Sequence, residues 1–179
     1  SWNILIAGYA ENNLHEKALE CLRQMQVEGM VPDSITFMCC LKSCGAIVAI
    51  DKGQEIHAEI YRKCLENDAS LGNSLVGMYV KCGLLTTAQE VFNGLSHHDI
   101  VGWNTLMVGY AQHGFFEESL NCLWKMKDEG ISPNAVTFTC LLKACSITKS
   151  ANMGEEIHAE VLKQGLVRKN IKLATALVD

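Results

Sequence analysis

The chain repeats itself at an offset of 101 residues, and this self-similarity constrains its fold more than any other feature. Trp2-Asn3 recurs as Trp103-Asn104, Gly8-Tyr9-Ala10 as Gly109-Tyr110-Ala111, Cys21-Leu22 as Cys122-Leu123 and Glu28-Gly29 as Glu129-Gly130. Thr36-Phe37 recurs as Thr137-Phe138, and Glu55 to Glu59 (EIHAE) as Glu156 to Glu160. Residues 2–59 and 103–160 share 26 identities in 58 positions. A shorter unit lies between them, because Gly72-Asn73 followed by Ser74 to Tyr79 stands where Asn3 and Ile4 to Tyr9 stand. Phased on Asn3, Asn73 and Asn104, the segments are 1–33 (its start truncated), 34–68, 69–99, 100–134, 135–170 and a stub 171–179. Units of roughly 30 to 40 residues mean a solenoid, in which each unit buries its apolar face against its neighbours.

Inside each segment the apolar spacing is helical. Trp2, Leu5, Ile6 and Tyr9 follow an i, i+3, i+4, i+7 stripe, and Leu14, Ala18, Leu22 and Met25 form a second one. Asn12-Asn13 breaks the first pair, Lys81-Cys82-Gly83 ends the first helix of the short unit, and Gly29 and Gly130 stand where a C-terminal glycine cap belongs, each with a proline three residues on. Each unit therefore reads as two helices, with all first helices on one surface and all second helices on the other. Only two prolines, Pro32 and Pro133, interrupt the whole chain. A repeated function should lie along one of the two rows.

Composition excludes several classes. With 49% hydrophobic and 20% charged residues the chain is too apolar to be disordered. The longest uncharged stretch, Ile100 to Phe116, is interrupted by Gly102, Asn104, Thr105, Gln112 and His113, short of the roughly 20 apolar residues that span a bilayer. The chain opens at Ser1 and stops at Asp179 in mid-pattern, which reads as an internal fragment. Its nine cysteines include no CxxC pair, against both a disulfide framework and a zinc ribbon. Cys40, Cys44 and His57 could form a metal set, but in the matching set of Cys140, Cys145 and His158 the place of Cys40 falls to Leu141. A site that replaces a ligand by leucine is no site, so no metal is expected and these cysteines read as small buried hydrophobes. The formal charge of -5 argues against a strongly basic nucleic-acid binder. The first helices alone, however, hold Lys42, Lys81 and Lys143 against Glu11, so the acidic excess belongs to the second helices and the junctions.

These residues resemble the pentatricopeptide repeat family of plant organelles, in particular its subgroup in which standard, long and short repeats alternate. Ser1 to Asp33 resembles the standard repeat. Residues 34–68, with TFMCCLKSC and GQEIHAEI, resemble the long one, residues 69–99, with GNSLVGMYVKCG and AQEVF, the short one, and 100–170 begin the series again. The resemblance implies an all-α fold, a right-handed superhelical α-solenoid of stacked helix-turn-helix repeats. It also implies sequence-specific binding of single-stranded organellar RNA, one nucleotide per repeat, read by the fifth and last residue of each repeat.

Those pairs are Asn3 with Asp33, Met38 with Asp68, Asn73 with Asp99, Asn104 with Asn134, and Thr139 with Asn170, with Thr175 the fifth position of the stub. By the family's code, Asn with Asp favours uracil, Asn with Asn a pyrimidine and Thr with Asn adenine. Long repeats follow it poorly, and Met38 cannot hydrogen-bond a base edge, so the expected 5′ to 3′ reading is U, any, U, pyrimidine, then A read weakly. At the second family position an aliphatic side chain packs on the base, and Ile35, Val101, Val136 and Ile171 fit, while Ser70 departs. Lys81 matches a phosphate-contacting position, although its counterparts are Glu11 and Gln112.

The further implications are a role in C-to-U RNA editing in mitochondrion or chloroplast, accessory editing factors as partners through the long repeats, and no cofactor, membrane or small-molecule substrate. No H-x-E followed by P-C-x-x-C occurs, so this segment reads as a binding module rather than an enzyme, with any deaminase domain outside it. The competing class is a protein-binding helical scaffold, which predicts uniform 34-residue units and no Asn and Asp pairing at the junctions. Capping competes residue by residue, because Asn at a fixed helix position and Asp just before a helix both suit an N-cap. Trp2, Trp103, Tyr9, Tyr79 and Tyr110 could stack on bases but fall on the stripe read as buried, and His57 and His158 read as inter-repeat packing.

Overall fold

A computed structural model describes residues 1–65, 67–148, 155 and 157–161, with the side chains of 143–148 left out. All regular structure among them is helical. The chain divides into two compact units, Ser1–His98 and Asp99–Asp179. The first holds α1 (Trp2–Glu11), α2 (His15–Val27), α3 (Ser34–Ile47), α4 (Ile50–Arg62), α5 (Ala69–Lys81) and α6 (Leu85–Asn93). Here α1 packs on α2, α3 on α4 and α5 on α6, while α3 also touches α1 and α5, so the first helices form a row. The second unit holds α7 (Ile100–Gln112), α8 (Phe116–Asp128) and α9 (Ala135–Thr148), with α7 packed on both α8 and α9, and helical residues at 157–161.

The reversals within the pairs share one device. Asn13, Gly83 and Gly114 adopt positive φ of 59°, 76° and 80°. The next amide, of Leu14, Leu84 or Phe115, then donates back to the carbonyl of Tyr9, Tyr79 or Tyr110 at 2.8–2.9 Å. That is the left-handed C-terminal cap, which Gly and Asn reach at least cost. The α3 to α4 turn uses it too, but with Val48 at φ 55°. Gly29 and Gly130 close α2 and α8 in the same way at φ 74° and 77°, as their place in the sequence predicts.

The core runs between the rows. Ile6, Leu22, Phe37, Leu41, Ile56, Leu71 and Phe92 are fully buried in the first unit, and Leu106, Met107, Met126 and Phe138 in the second. Truncating one such phenylalanine to alanine costs about 3–5 kcal/mol. Where α3 meets α5, a Cβ on Gly45 would stand 3.4 Å from the Met78 Cα and 3.0 Å from Lys81 Cδ, so the missing side chain sets the approach of two first helices. The expected stripe of α1 is narrower than its spacing suggests. Ile6 and Ala10 are buried but Leu5 is 48% exposed, because among the described residues this helix packs chiefly against α2 and α3. Leu14 is likewise exposed, whereas Ala18, Leu22 and Met25 of its stripe are buried.

The duplication extends to individual bonds. The Trp2 indole donates to Glu28 at 3.2 Å and that of Trp103 to Glu129 at 3.0 Å, each tying the start of a first helix to the end of its partner. Gln26 donates to Glu59 at 2.6 Å and Lys127 to Glu160 at 2.7 Å, each joining one second helix to the next. Equivalent positions 101 residues apart therefore do the same mechanical work, even where Lys127 stands in place of Gln26.

Candidate nucleic-acid interface

Each junction places a short polar residue at the start of the next first helix. The Asp33 carboxylate accepts the Thr36 amide at 2.8 Å, and Asp68 accepts those of Ser70 and Leu71 at 3.0 and 3.1 Å. Asp99 accepts the Gly102 amide at 2.9 Å, and the Asn134 Oδ1 accepts those of Val136 and Thr137 at 3.0 and 3.1 Å. All four are N-caps, which satisfy amides that a helix start leaves unpaired. The Thr36 amide, and to a lesser degree its hydroxyl and the Asn3 amide group, hold the Asp33 carboxyl below its ordinary range against a smaller opposing effect of burial.

The fifth-position asparagines are not caps. Asn3 is the second residue of α1, and Asn73 and Asn104 are the fifth of α5 and α7. Two of them reach back over a whole helix pair to the junction residue. Asn3 Nδ2 donates to Asp33 Oδ2 at 2.7 Å, and Asn104 Nδ2 to Asn134 Oδ1 at 3.4 Å. Asn73 and Asp99 belong to different units. Met38 and Asp68 lie in one unit, yet a thioether has no proton to donate. Asn170 and Thr175 lie outside the described residues. Thr139 spends its hydroxyl proton on the Ala135 carbonyl at 2.7 Å, which leaves it a poor donor.

The paired groups are bracketed by exposed aliphatic side chains. Ile35, Val101 and Val136 are 57%, 56% and 55% exposed, in the first turn of α3, α7 and α9. An isolated exposed aliphatic needs no explanation, but these three share one register, the second residue of their segments. Ser70 stands in that register on α5, and Ile171 lies outside the described residues. Met38, Cys39, Lys42, Ser74, Gly77 and Lys81 line a cavity of about 320 Å³ between α3 and α5. Lys42 and Lys81 are both exposed at its edge, so this part of the first-helix row carries positive charge.

Two partners escape a reading of the sequence by fixed positions. The Thr36 Oγ1 lies 3.0 Å from Asn3 Oδ1 and 2.8 Å from Asp33 Oδ1, and the Thr137 Oγ1 lies 2.7 Å from Asn104 Oδ1. Both threonines are buried. The signal was their shared recurrence in Thr36-Phe37 and Thr137-Phe138, which by itself reads as packing.

The aromatic residues divide. Tyr79 and Trp103 are buried, while Trp2, Tyr9 and Tyr110 are half-buried. His57 faces the Tyr79 hydroxyl at 2.9 Å, and burial pushes its pKa down, whereas His158 is exposed. Cys40 and Cys44 are buried, which raises both thiols, that of Cys44 to about 12.

The chain is similar to known proteins. Models described as the PPR repeat family match residues 1–46 and 98–146, and one described as a PPR repeat matches 73–100. A chloroplastic pentatricopeptide repeat-containing protein of Arabidopsis thaliana is 38% identical over 100% of this chain and 24% of its own length. Another from the same plant is 34% identical over 100% of this chain and 23% of its own length. The chain thus spans about a quarter of the length of the curated relatives it matches. Among solved structures, the pentatricopeptide repeat protein PPR10 in complex with an 18-nt psaJ RNA element superposes with a TM-score of 0.83 at 24% identity, over 92% of this chain and 25% of that one. Nuclear proteinaceous RNase P 2 of A. thaliana superposes at 0.68 with 15% identity, over 89% of this chain and 37% of that one. These likenesses identify the fold as an α-solenoid of helical repeats.

Proposed function

Because this chain belongs to the pentatricopeptide repeat family, we propose that its first-helix row binds single-stranded RNA and reads one base per repeat at the junctions. The repeats are taken as 1–33, 34–68, 69–99, 100–134 and 135–170. The observation that carries the reading is the hydrogen-bonded pair of Asn3 with Asp33, repeated as Asn104 with Asn134. Unpaired bases expose their Watson–Crick edges, and such edges are read by side-chain amides and carboxylates. Uracil offers the N3–H as a donor, which a carboxylate such as Asp33 can accept. Cytosine offers N3 as an acceptor, which needs an N–H. The capping amides occupy Asn134 Oδ1, so Asn134 has its NH2 group to give. Asp therefore suits uracil, and Asn a pyrimidine. Ile35, Val101 and Val136 would pack on the base faces, and Lys81, across the cavity edge from Lys42, would meet a phosphate.

The order of standard, long and short repeats supports the alternating subgroup, and with it a role as the target-recognition tract of an organellar C-to-U editing factor in chloroplast or mitochondrion. The long repeats, the first of which has Met38 in the reading position, would contact accessory editing proteins. Selection from short RNAs randomised at five positions tests the base reading. Uracil is expected opposite the first and third repeats, and a flat preference at both would sink it. Asn73→Thr is expected to move the third position from uracil toward guanine, the family's Thr with Asp combination.

A further inference from the structure

At two junctions a third residue joins the reading pair. Thr36 and Thr137 are the third residues of the segments that follow, and both are buried. The corresponding positions after Asp68 and Asp99 hold Leu71 and Gly102, which have no hydroxyl. At the fourth repeat the geometry assigns the proton. The Asn134 amide N–H donates to the Thr137 Oγ1 at 3.1 Å, and that hydroxyl lies 2.7 Å from Asn104 Oδ1, against 3.2 Å from Asn134 Oδ1. The shorter contact takes the proton, so the Asn104 oxygen is held inward and its NH2 group faces the junction. The Asn104 to Asn134 bond, at 3.4 Å, is too long to fix that orientation alone.

The first repeat has a second anchor. Asp33 is an acceptor only, and its Oδ2 takes Asn3 Nδ2 at 2.7 Å, so the carboxylate orients the Asn3 amide whichever acceptor the Thr36 proton chooses. An amide free to flip would offer donors and acceptors in exchange, and a base edge could no longer tell them apart.

We propose that Thr137, and to a lesser extent Thr36, is a positioning residue for base readout: a buried hydroxyl from the next repeat fixes which end of the preceding asparagine amide is presented to the strand. The inference rests on the RNA-reading function above. The unit that specifies a nucleotide at these junctions is then three residues, drawn from two helices and the cap between them.

The test compares the full chain with Thr137→Val, which keeps shape and removes the hydroxyl, Thr137→Ser, which keeps the hydroxyl, and Thr36→Val. Anisotropy is read with labelled RNAs that vary only at the first or fourth nucleotide. Thr137→Val is expected to reduce the pyrimidine preference at the fourth nucleotide by about fivefold, the worth of one neutral hydrogen bond, and to leave the first nucleotide unchanged. Thr137→Ser should keep the preference, and Thr36→Val should weaken uracil selection by a smaller factor. An unchanged ratio in Thr137→Val, or an equal loss in Thr137→Ser, overturns the proposal. Side-chain amide NMR of the RNA-free protein separates this failure from that of RNA reading. The Asn104 NH2 signals should shift in Thr137→Val but not in Thr137→Ser, with Asn73 unmoved in both. Unmoved Asn104 signals in Thr137→Val overturn the positioning role by themselves, whereas a wild-type chain with no base preference and a shifted Asn104 refutes the RNA reading on which the proposal rests.

Discussion

Trp103 donates its indole N–H to Glu129 at 3.0 Å, fastening the first turn of α7 to the residue that caps the far end of α8. Trp103 is 2% exposed, whereas Trp2, which makes the same bond to Glu28, is half-buried. Trp103→Phe removes the bond and part of the buried ring, and about 1–2 kcal/mol of stability should go with it. Trp103→Ala should cost about 3–5 kcal/mol, and Trp2→Ala clearly less. Urea unfolding followed by circular dichroism measures all three, and equal losses at Trp2 and Trp103 would contradict the burial difference.

Asp33 ties stability to pH. Its folded pKa lies below the ordinary carboxylate value because the Thr36 amide, first of all, binds the ionised form. A depressed pKa means that the contribution is complete above the unfolded pKa and is lost as pH falls through the folded one. The carboxyl carbon of Asp33 should therefore titrate below 3.8 in an NMR series. Asp33→Ala should cost about 1 kcal/mol at neutral pH as a lost N-cap, while Asp33→Asn, itself a good cap, should cost little. A titration midpoint at or above the ordinary value would show that the cap bond is absent in solution.

Val48 carries strain at a surface position. It is 54% exposed and sits at φ 55°, ψ 38°, a conformation that places a β-branched side chain against its own backbone. Val48→Asn should raise stability by about 1 kcal/mol, because asparagine tolerates the left-handed region. Val48→Gly should gain less, since glycine loses more freedom on folding. Thermal unfolding decides it, and a loss of stability in both variants would refute the strain.

Lys42 and Lys81 carry the ionic part of the proposed RNA contact. Replacing both by glutamine should reduce the slope of log affinity against log salt by about 1.4, or about 0.7 for each phosphate contact on a single strand. Base preference should stay as it was, because phosphates position a strand and bases specify it. An unchanged slope would remove these lysines from the strand's path.

The sequence was most legible where one residue type meets a backbone demand. Gly29 and Gly130 stand where left-handed caps form, and the apolar stripes of α2 predict the burial of Ala18, Leu22 and Met25. The period of the repeat, visible in Trp2-Asn3 and Trp103-Asn104, locates both ends of the hydrogen bonds that join a pair. Burial in α1 was less legible. Periodicity identifies a helix face but not how many neighbours cover it, and so Leu5 is exposed. The threonine hydroxyls were hidden for another reason. Thr36 and Thr137 precede a fully buried phenylalanine, and no spacing rule distinguishes a buried hydroxyl that orients an amide from one that merely fills the core.

The Asn3, Asp33 and Thr36 contacts straddle the point at which one repeat gives way to the next. Anyone recombining such arrays to recognise new transcripts would normally exchange modules at that seam, and would thereby separate an asparagine and its junction partner from the hydroxyl with which they are matched. A cut in the first turn of a first helix, just after Thr36 or Thr137, would carry the three together. The natural cassette for transplantation is thus a repeat shifted by a few residues, which begins just before one asparagine and ends just past the threonine of the following junction.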